Sequence, residues 1–409
     1  MEKNSPYRLT LILCMAEIFG MASISAFPAL LPVFLHEWGL SHTAAGWISA
    51  SYYGGYILSV PFLTGITDRV DARKIMAFGA LLGIVSALGY AFFAQGFWTA
   101  VGFRFLSGMG LAGIYMPGLK IVSDHTEGEL QSRFVSFYTA SFSIGASLSY
   151  LLAGEVHRFA GWRWAFTSSA ATALVTLGIL GLFIPPGKIR TGYPKIFFAD
   201  LKRALASRPT LGYVLGYAAH MWELFSFRAW VVAFLVFCHG FHSGDPFYWS
   251  PTQIAFLVNL IGLPASIFGN ELSRRFSRKK VITVTMFISA GIAAGIGFTA
   301  SLSYLLVVIL VLLYGVTVTA DSASLTAGAV ASAPEGLRGS VLAIHSFIGF
   351  GAAFMGPLIV GVVLDAFRGG IFAWGFGFLI MGAGCLAGPP VLSVFGSENC
   401  RLLRRSRKV

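Results

Sequence analysis

The chain has 409 residues, of which 56% are hydrophobic and only 11% charged. A soluble chain carries about a quarter charged residues, so this one lacks the polar surface to stand in water; a soluble enzyme, a disordered chain and a collagen-like fibre are excluded. What is left is a polytopic membrane protein, and its 29 Lys and Arg against 17 Asp and Glu (net +12) need an explanation other than nucleic acid.

A helix needs about 20 apolar residues to cross the hydrocarbon core. By that length the sequence predicts an all-α protein with twelve transmembrane helices. The first run starts near Arg8 and stays apolar to about Leu35; it contains Glu17 and is too long for a secretion signal. Further spans start near Thr43, Ile75, Phe97, Arg133 and Trp162. The longest polar stretch follows, about Pro185 to Arg208, with Lys188, Arg190, Lys195, Lys202, Arg203 and Arg208. Within it Ile196, Phe197, Leu201, Ala204 and Leu205 share one helical face, which predicts a short helix lying on the membrane surface. Six more spans start near Thr210, Pro251, Val281, Ser303, Gly339 and Ile371. The expected division is therefore 1–184, a six-helix bundle; 185–208, a basic linker; 209–396, a second six-helix bundle; and 397–409, a basic tail.

The basic residues orient this plan. With the N-terminus in the cytoplasm, the Lys and Arg residues fall on the inner side except Arg158, Arg163 and Arg368 outside and Arg104 and Arg228 within spans. Cytoplasmic loops collect Lys and Arg, so both termini are expected to be cytoplasmic. Cys14, Cys238, Cys385 and Cys400 lie far apart with no metal-ligand spacing, so neither a disulfide framework nor a zinc site is expected. The absence of an Asn-x-Ser/Thr sequon without proline fits a bacterial inner membrane. No cofactor or nucleic-acid partner is expected; the expected partners are a small-molecule solute, H+ as coupling ion and the lipid bilayer, with the protein a monomer.

The halves echo each other as transporter repeats do. Asp68-Arg69-Val70-Asp71-Ala72-Arg73-Lys74 between spans two and three corresponds to Ser273-Arg274-Arg275-Phe276-Ser277-Arg278-Lys279 between spans eight and nine. Thr126-Glu127-Gly128 likewise matches Pro334-Glu335-Gly336. On these features the chain resembles the major facilitator superfamily of secondary transporters. Asp68, Arg69, Arg73 and Lys74 match its loop pattern, with Thr64 and Asp71 at the two glycine positions. The resemblance implies that Asp68, Arg69 and Arg73 belong to a cytoplasmic gate. Arg104-Phe105-Leu106-Ser107-Gly108 is similar to a family motif tied to proton coupling. The Gly-Pro common in the fifth span of family antiporters is absent there and stands instead at Gly356-Pro357.

Ionisable groups inside a membrane are costly and by default face a wet cavity or a partner. Glu17, Arg104, Glu223, Arg228 and Asp321 are such groups, on spans one, four, seven and ten, which the family arranges around a central cavity. Arg104, Gly108, Leu111 and Tyr115 share a face, and Glu17 is the expected counter-ion of Arg104: either a coupling device or a static ion pair. Gly216, His220, Glu223, Phe227 and Trp230 share a face of span seven. Arg228 either belongs to the site or snorkels to the interface. Tyr314, Thr317, Asp321, Ser324 and Gly328 form a polar seam that makes Asp321 a solute or proton site. Tyr138, Ser141, Gly145 and Ser149 line cavity or packing, His345 is a proton carrier or a hydrogen-bonded core residue, and Tyr52, Tyr53 and Tyr56 are packing or interface anchors. The glycine pairs Gly79/Gly83, Gly291/Gly295 and Gly384/Gly388 predict close helix contacts.

No HExxH, GxSxG or nucleotide-binding loop is present, so the chain is not expected to be an enzyme. The sequence points to a secondary transporter of a small polar or ionised organic solute, coupled to protons and working by alternating access. An exporter of drugs or metabolites and a non-transporting receptor with the same fold are the alternatives.

Overall fold

The chain is helical along nearly all of its described length, and several prolines are carried inside helices. A computed structural model describes residues 6–67, 69–126, 128–187, 197–242 and 249–395. Asp68, Glu127, the linker positions Lys188, Arg190, Lys195 and Ile196, and the tail 397–409 lie outside the described residues.

The first half comprises α1 (Pro6–Gly20), α2 (Ala26–Glu37), α3 (His42–Ile66), α4 (Ala72–Phe93), α5 (Phe97–Asp124), α6 (Gly128–Ala160) and α7 (Trp162–Phe183). The short α8 (Phe197–Ala206) follows. The second half comprises α9 (Arg208–His239), α10 (Pro251–Arg275), α11 (Arg278–Ile296), α12 (Tyr304–Ala320), α13 (Ser322–Ala331), α14 (Arg338–Ala366), α15 (Gly370–Cys385) and α16 (Gly388–Phe395). Ten helical stretches, α12–α13 and α15–α16 each counted as one, are long and apolar enough to cross a membrane. The other two expected spans are the α1–α2 pair and the 25-residue α3, whose Ser, Tyr and Gly residues lower its hydropathy. With both included, the architecture is two six-helix bundles.

The first span is not the single helix that its composition predicts. It breaks between Gly20 and Ala26, and the freed backbone groups find new partners, as bare carbonyls in a membrane must. The Ala22 carbonyl accepts from Ser149 Oγ at 2.7 Å and Ser169 Oγ at 3.2 Å, and Ser25 N–H donates to Ser149 Oγ at 3.0 Å. The tenth span breaks at Asp321, between α12 and α13.

Small residues set the closest helix pairs. A Cβ on Gly79 of α4 would meet the backbone of Gly110 and Gly113 of α5 within 2.8 Å, and Cβ atoms on Gly384 and Gly388 would strike Trp222 and Met286. Gly83 is looser, 3.8 Å from Ala173. Gly291 and Gly295 depart from expectation: both face open space, because α11 turns that stripe away from its neighbours.

The halves meet where α3 packs on α14, α6 on α10, and α2 on α9. One end of the bundle carries the α3–α4 and α10–α11 turns and α8; it is called here the basic end. Toward the opposite end, Asp365 of α14 accepts from His42 N–H at 2.9 Å and Thr43 N–H at 2.7 Å, with His42 Nδ1 at 2.8 Å. It thus sits on the N-terminus of α3, where orphan N–H groups and the helix dipole favour an anion. Gly361 approaches the His42 backbone there, and Gly46 approaches that of Pro357 and Leu358. Gln253 of α10 donates to Glu155 of α6 at 2.8 Å. Deeper in, Tyr150 of α6 donates to the Arg228 carbonyl at 2.5 Å, and the Tyr56 ring lies tilted against that of Phe350 at 4.3 Å. The cross-half hydrogen bonds and ring contacts identified among the described residues thus run from that end to mid-depth.

At the basic end the loop is tied within its own half. Asp71, in place of the family's glycine, caps α4 through the Arg73 N–H at 2.9 Å and accepts from Gly187 N–H at 3.0 Å. Arg73 Nη1 donates to the Ile184 carbonyl at 2.9 Å. Arg69 is exposed. The helix expected on the membrane surface is α8; its Ala204 is buried, Lys202 and Arg203 are exposed, and it packs on α9 and α14.

Candidate functional site

Three groups of buried polar side chains lie in the bundle interior. The first centres on Glu17, fully buried on α1. Ser141 of α6 hydrogen-bonds its Oε2, while Oε1 has no partner. The Ser141 hydroxyl also lies 2.7 Å from the Tyr138 carbonyl. A serine carries one proton, so if Ser141 donates to that carbonyl, only a protonated Glu17 completes the other bond. Tyr138 donates to the Ile114 carbonyl at 3.2 Å, and its ring lies 6.2 Å from that of Tyr115.

Arg104, 2% exposed on α5, does not pair with Glu17 as the sequence suggests. Its Nη1 and Nη2 donate instead to the Ser23 and Ile24 carbonyls at 3.3 and 3.2 Å. The cause is the break in the first span, which offers carbonyls to Arg104 and leaves Glu17 on the helical segment before them. The guanidinium lies 4.4 Å from the Tyr52 ring centre, a cation–π distance. Its Nε has no partner.

The third group belongs to the second half. Ser289 of α11 and Tyr314 of α12 both donate to Glu223 Oε1, at 2.9 and 3.0 Å, and Thr317 adjoins Ser289 at 3.3 Å. One turn away on α9, His220 Nδ1 lies 2.8 Å from Asp321 Oδ1, both side chains nearly fully buried. The contact is out of line with the ring N–H, so it is an electrostatic approach more than a formed hydrogen bond. His345 Nε2 meets Thr326 Oγ1 at 3.1 Å, and its ring stacks on Tyr217 at 3.7 Å.

Arg228 does not snorkel to an interface. Its Nε is buried without a partner, and its guanidinium lies 5.3 Å from the Phe225 ring. Phe225 packs in turn on Tyr53 of the other half at 4.7 Å. Tyr52, Tyr53 and Tyr56 are buried inside the bundle and are not interface anchors.

The structure therefore gathers Glu17, Tyr115 and Tyr138 in one half, and Glu223, Asp321 and His345 in the other. Arg104 and Arg228 stand between them, and Arg69 and Arg73 lie apart at the basic end. His220 was legible only as one member of a helix face; its place three residues before Glu223 was the available signal. The unwound stretch Met21–Ser25 had none beyond its serines. No group of three or more His, Cys, Asp or Glu among the described residues could hold a metal.

The family model for the Major Facilitator Superfamily matches residues 13–357. The gentisate transporter of Corynebacterium glutamicum is 24% identical over 397 residues, 92% of this chain and 84% of the relative. Protein spinster homolog 3 of Danio rerio is 24% identical over 243 residues, and the match spans 57% of this chain and about half (49%) of that relative. Among solved structures, a bacterial homolog of the human lysosomal transporter Spinster, in an inward-facing and unoccupied conformation, superposes with a TM-score of 0.73 at 16% identity, over 96% of each chain. A D-xylose–proton symporter does so with a TM-score of 0.72 at 19% identity, over 96% of this chain and 98% of that one. The chain is an integral membrane protein and a transporter, not an enzyme, and it belongs to the Major Facilitator Superfamily.

Proposed function

We propose that the protein carries a small organic solute across a bacterial plasma membrane, coupled to protons, by alternating closure at the two ends of the bundle. The observation that carries this reading is a pair of fully buried acids, Glu17 and Glu223, one in each half, held by hydroxyls and without a basic partner among the described residues. Burying an ionised carboxylate without a cation is costly, so proton binding and sealing of such a site are linked. Asp321 beside His220 is a third proton-handling position in this scheme, with His345 and Thr326 next along. The relatives support the solute class: one is named for gentisate, and a structural neighbour is a xylose–proton symporter.

In this reading the units are 1–184, 185–208, 209–396 and 397–409, and the basic end faces the cytoplasm with both termini. The cross-half contacts then close the outer side, and the loop that carries Arg69 and Arg73, with Arg73 held to the Ile184 carbonyl of its own half, is the cytoplasmic gate to which Asp68 belongs by sequence.

The test is transport in proteoliposomes under an imposed pH gradient, with gentisate and xylose in the solute panel. Glu17→Gln is expected to keep solute counterflow but to bring gradient-driven accumulation toward a ratio of one. Unaltered accumulation in that variant removes Glu17 from coupling, and a wild-type protein that moves nothing ends the transporter reading.

A further inference from the structure

Two guanidiniums stand in the bundle interior with no carboxylate among the described residues paired to them. Arg104 uses two of its five N–H donors on the carbonyls of Ser23 and Ile24 and leaves Nε buried and unpartnered. Arg228 has a buried, unpartnered Nε, and no carboxylate among the described residues pairs with its side chain. A run of rings links the two: Arg104 lies 4.4 Å from the Tyr52 ring, Tyr52 is 5.4 Å from Tyr53, Tyr53 is 4.7 Å from Phe225, and Phe225 is 5.3 Å from the Arg228 guanidinium. The three interior acids are engaged elsewhere, Glu17 with Ser141, Glu223 with Ser289 and Tyr314, and Asp321 with His220.

A buried charge is normally paired, because leaving it alone costs several kcal/mol. Here Arg104, buried on α5, and Arg228, partly buried on α9 of the opposite half, have no carboxylate partner among the described residues. The walls beside them are planar rings: Tyr52 under Arg104, then Tyr53, Phe225 and Phe350, with Tyr53 6.2 Å from Phe350. Guanidinium forks match a carboxylate, and offset or edge contacts from such rings suit a flat ring.

We propose that Arg104 and Arg228 are the two arms of an anion site, one from each half, and that the transported solute is an organic carboxylate with an aromatic ring. The proposal rests on the transporter reading above and narrows its solute. Because the arms belong to different halves, the carboxylate bridges the bundles when bound, and its arrival or departure changes how strongly they attract.

The probe is benzoate, with benzamide as its neutral counterpart and cyclohexanecarboxylate as its non-planar one. Binding is measured by calorimetry and thermal shift on the purified full chain. Wild-type protein is expected to bind benzoate, to bind cyclohexanecarboxylate more weakly, and to bind benzamide at least about tenfold more weakly than benzoate, the loss expected for a hydrogen bond to a charged group. Arg228→Lys and Arg104→Lys, checked for monodisperse folding, are each expected to weaken benzoate by about tenfold or more, since an ammonium cannot reproduce the fork. The wild-type ligand comparison needs no variant, so a misfolded mutant does not shelter the proposal. Equal affinity for benzoate and benzamide, no benzoate binding, or folded Lys variants with unchanged affinity each overturns it. Transport of neutral or cationic solutes with full activity in Arg228→Lys overturns the anion site and leaves the transporter standing. Benzoate binding with no flux of any solute keeps the anion site but ends the transporter reading, and with it the claim that the carboxylate is the transported solute.

Discussion

His220 Nδ1 and Asp321 Oδ1 stand 2.8 Å apart in a site that is nearly dry. Whichever protonation state the pair holds, removing one partner leaves the other buried and unmatched, which costs more than losing an exposed ion pair. Asp321→Asn and His220→Gln are therefore each expected to lower the detergent-solubilised Tm, and the double variant to lower it by less than the two together. The same variants are expected to change the pH profile of transport. A double variant whose loss in Tm is the plain sum, with an unmoved pH profile, assigns the two residues independent packing roles. Serine and tyrosine hydroxyls do comparable work around Glu223 and Glu17, because a hydroxyl can donate to a carboxylate or accept from a carboxylic acid. The sites thus accommodate either charge state with little rearrangement.

At the scale of elements, the cap of α3 by Asp365 is the contact that joins the halves most directly. One carboxylate takes two backbone N–H groups and a histidine ring across the interface. Its loss should free about 1–2 kcal/mol of closure energy, roughly a tenfold shift between closed and open at that end. Asp365→Asn is expected to raise the reactivity of a thiol placed at the buried Ala45 toward a membrane-impermeant reagent; unchanged labelling would show that backbone packing alone keeps this end shut. Helix pairs within a half depend on glycine instead. A Cβ at Gly108 would lie 1.8 Å from the Tyr52 carbonyl, so Gly108→Ala should force α5 away from α3. The expected cost is about 1–3 kcal/mol, read as a fall in Tm, with Gly291→Ala, which faces open space, as the silent control.

At the scale of the molecule, orientation is the property with the largest consequences and the simplest measurement. With the four native cysteines replaced, Lys280→Cys in whole cells is expected to resist an impermeant thiol reagent, while Ser301→Cys, exposed at the opposite end, is expected to react. The reverse pattern would invert the proposed topology, and with it the assignment of the closed side.

Composition and spacing by themselves determined the class, the helical content, the near-twelve span count and the family, because a bilayer accepts few backbone solutions and needs long apolar runs to form them. Most helix starts expected from those runs, such as Phe97, Trp162 and Pro251, coincide with the structure, since caps and prolines act locally. Which acids and bases would stand alone in the interior was equally visible, because charges are so scarce. Their partners were not. Arg104 was expected on Glu17, yet it holds carbonyls exposed by a break within the first span, and nothing local in the sequence marks that break. Asp321 meets a histidine 101 positions earlier in the chain, and Asp365 caps a helix from the other half, 323 residues away. Helix periodicity tells which side chains share a face; it does not tell which face of which helix that face will meet. Pairing among distant charges is decided by how the two bundles pack, and only the tertiary structure contains that.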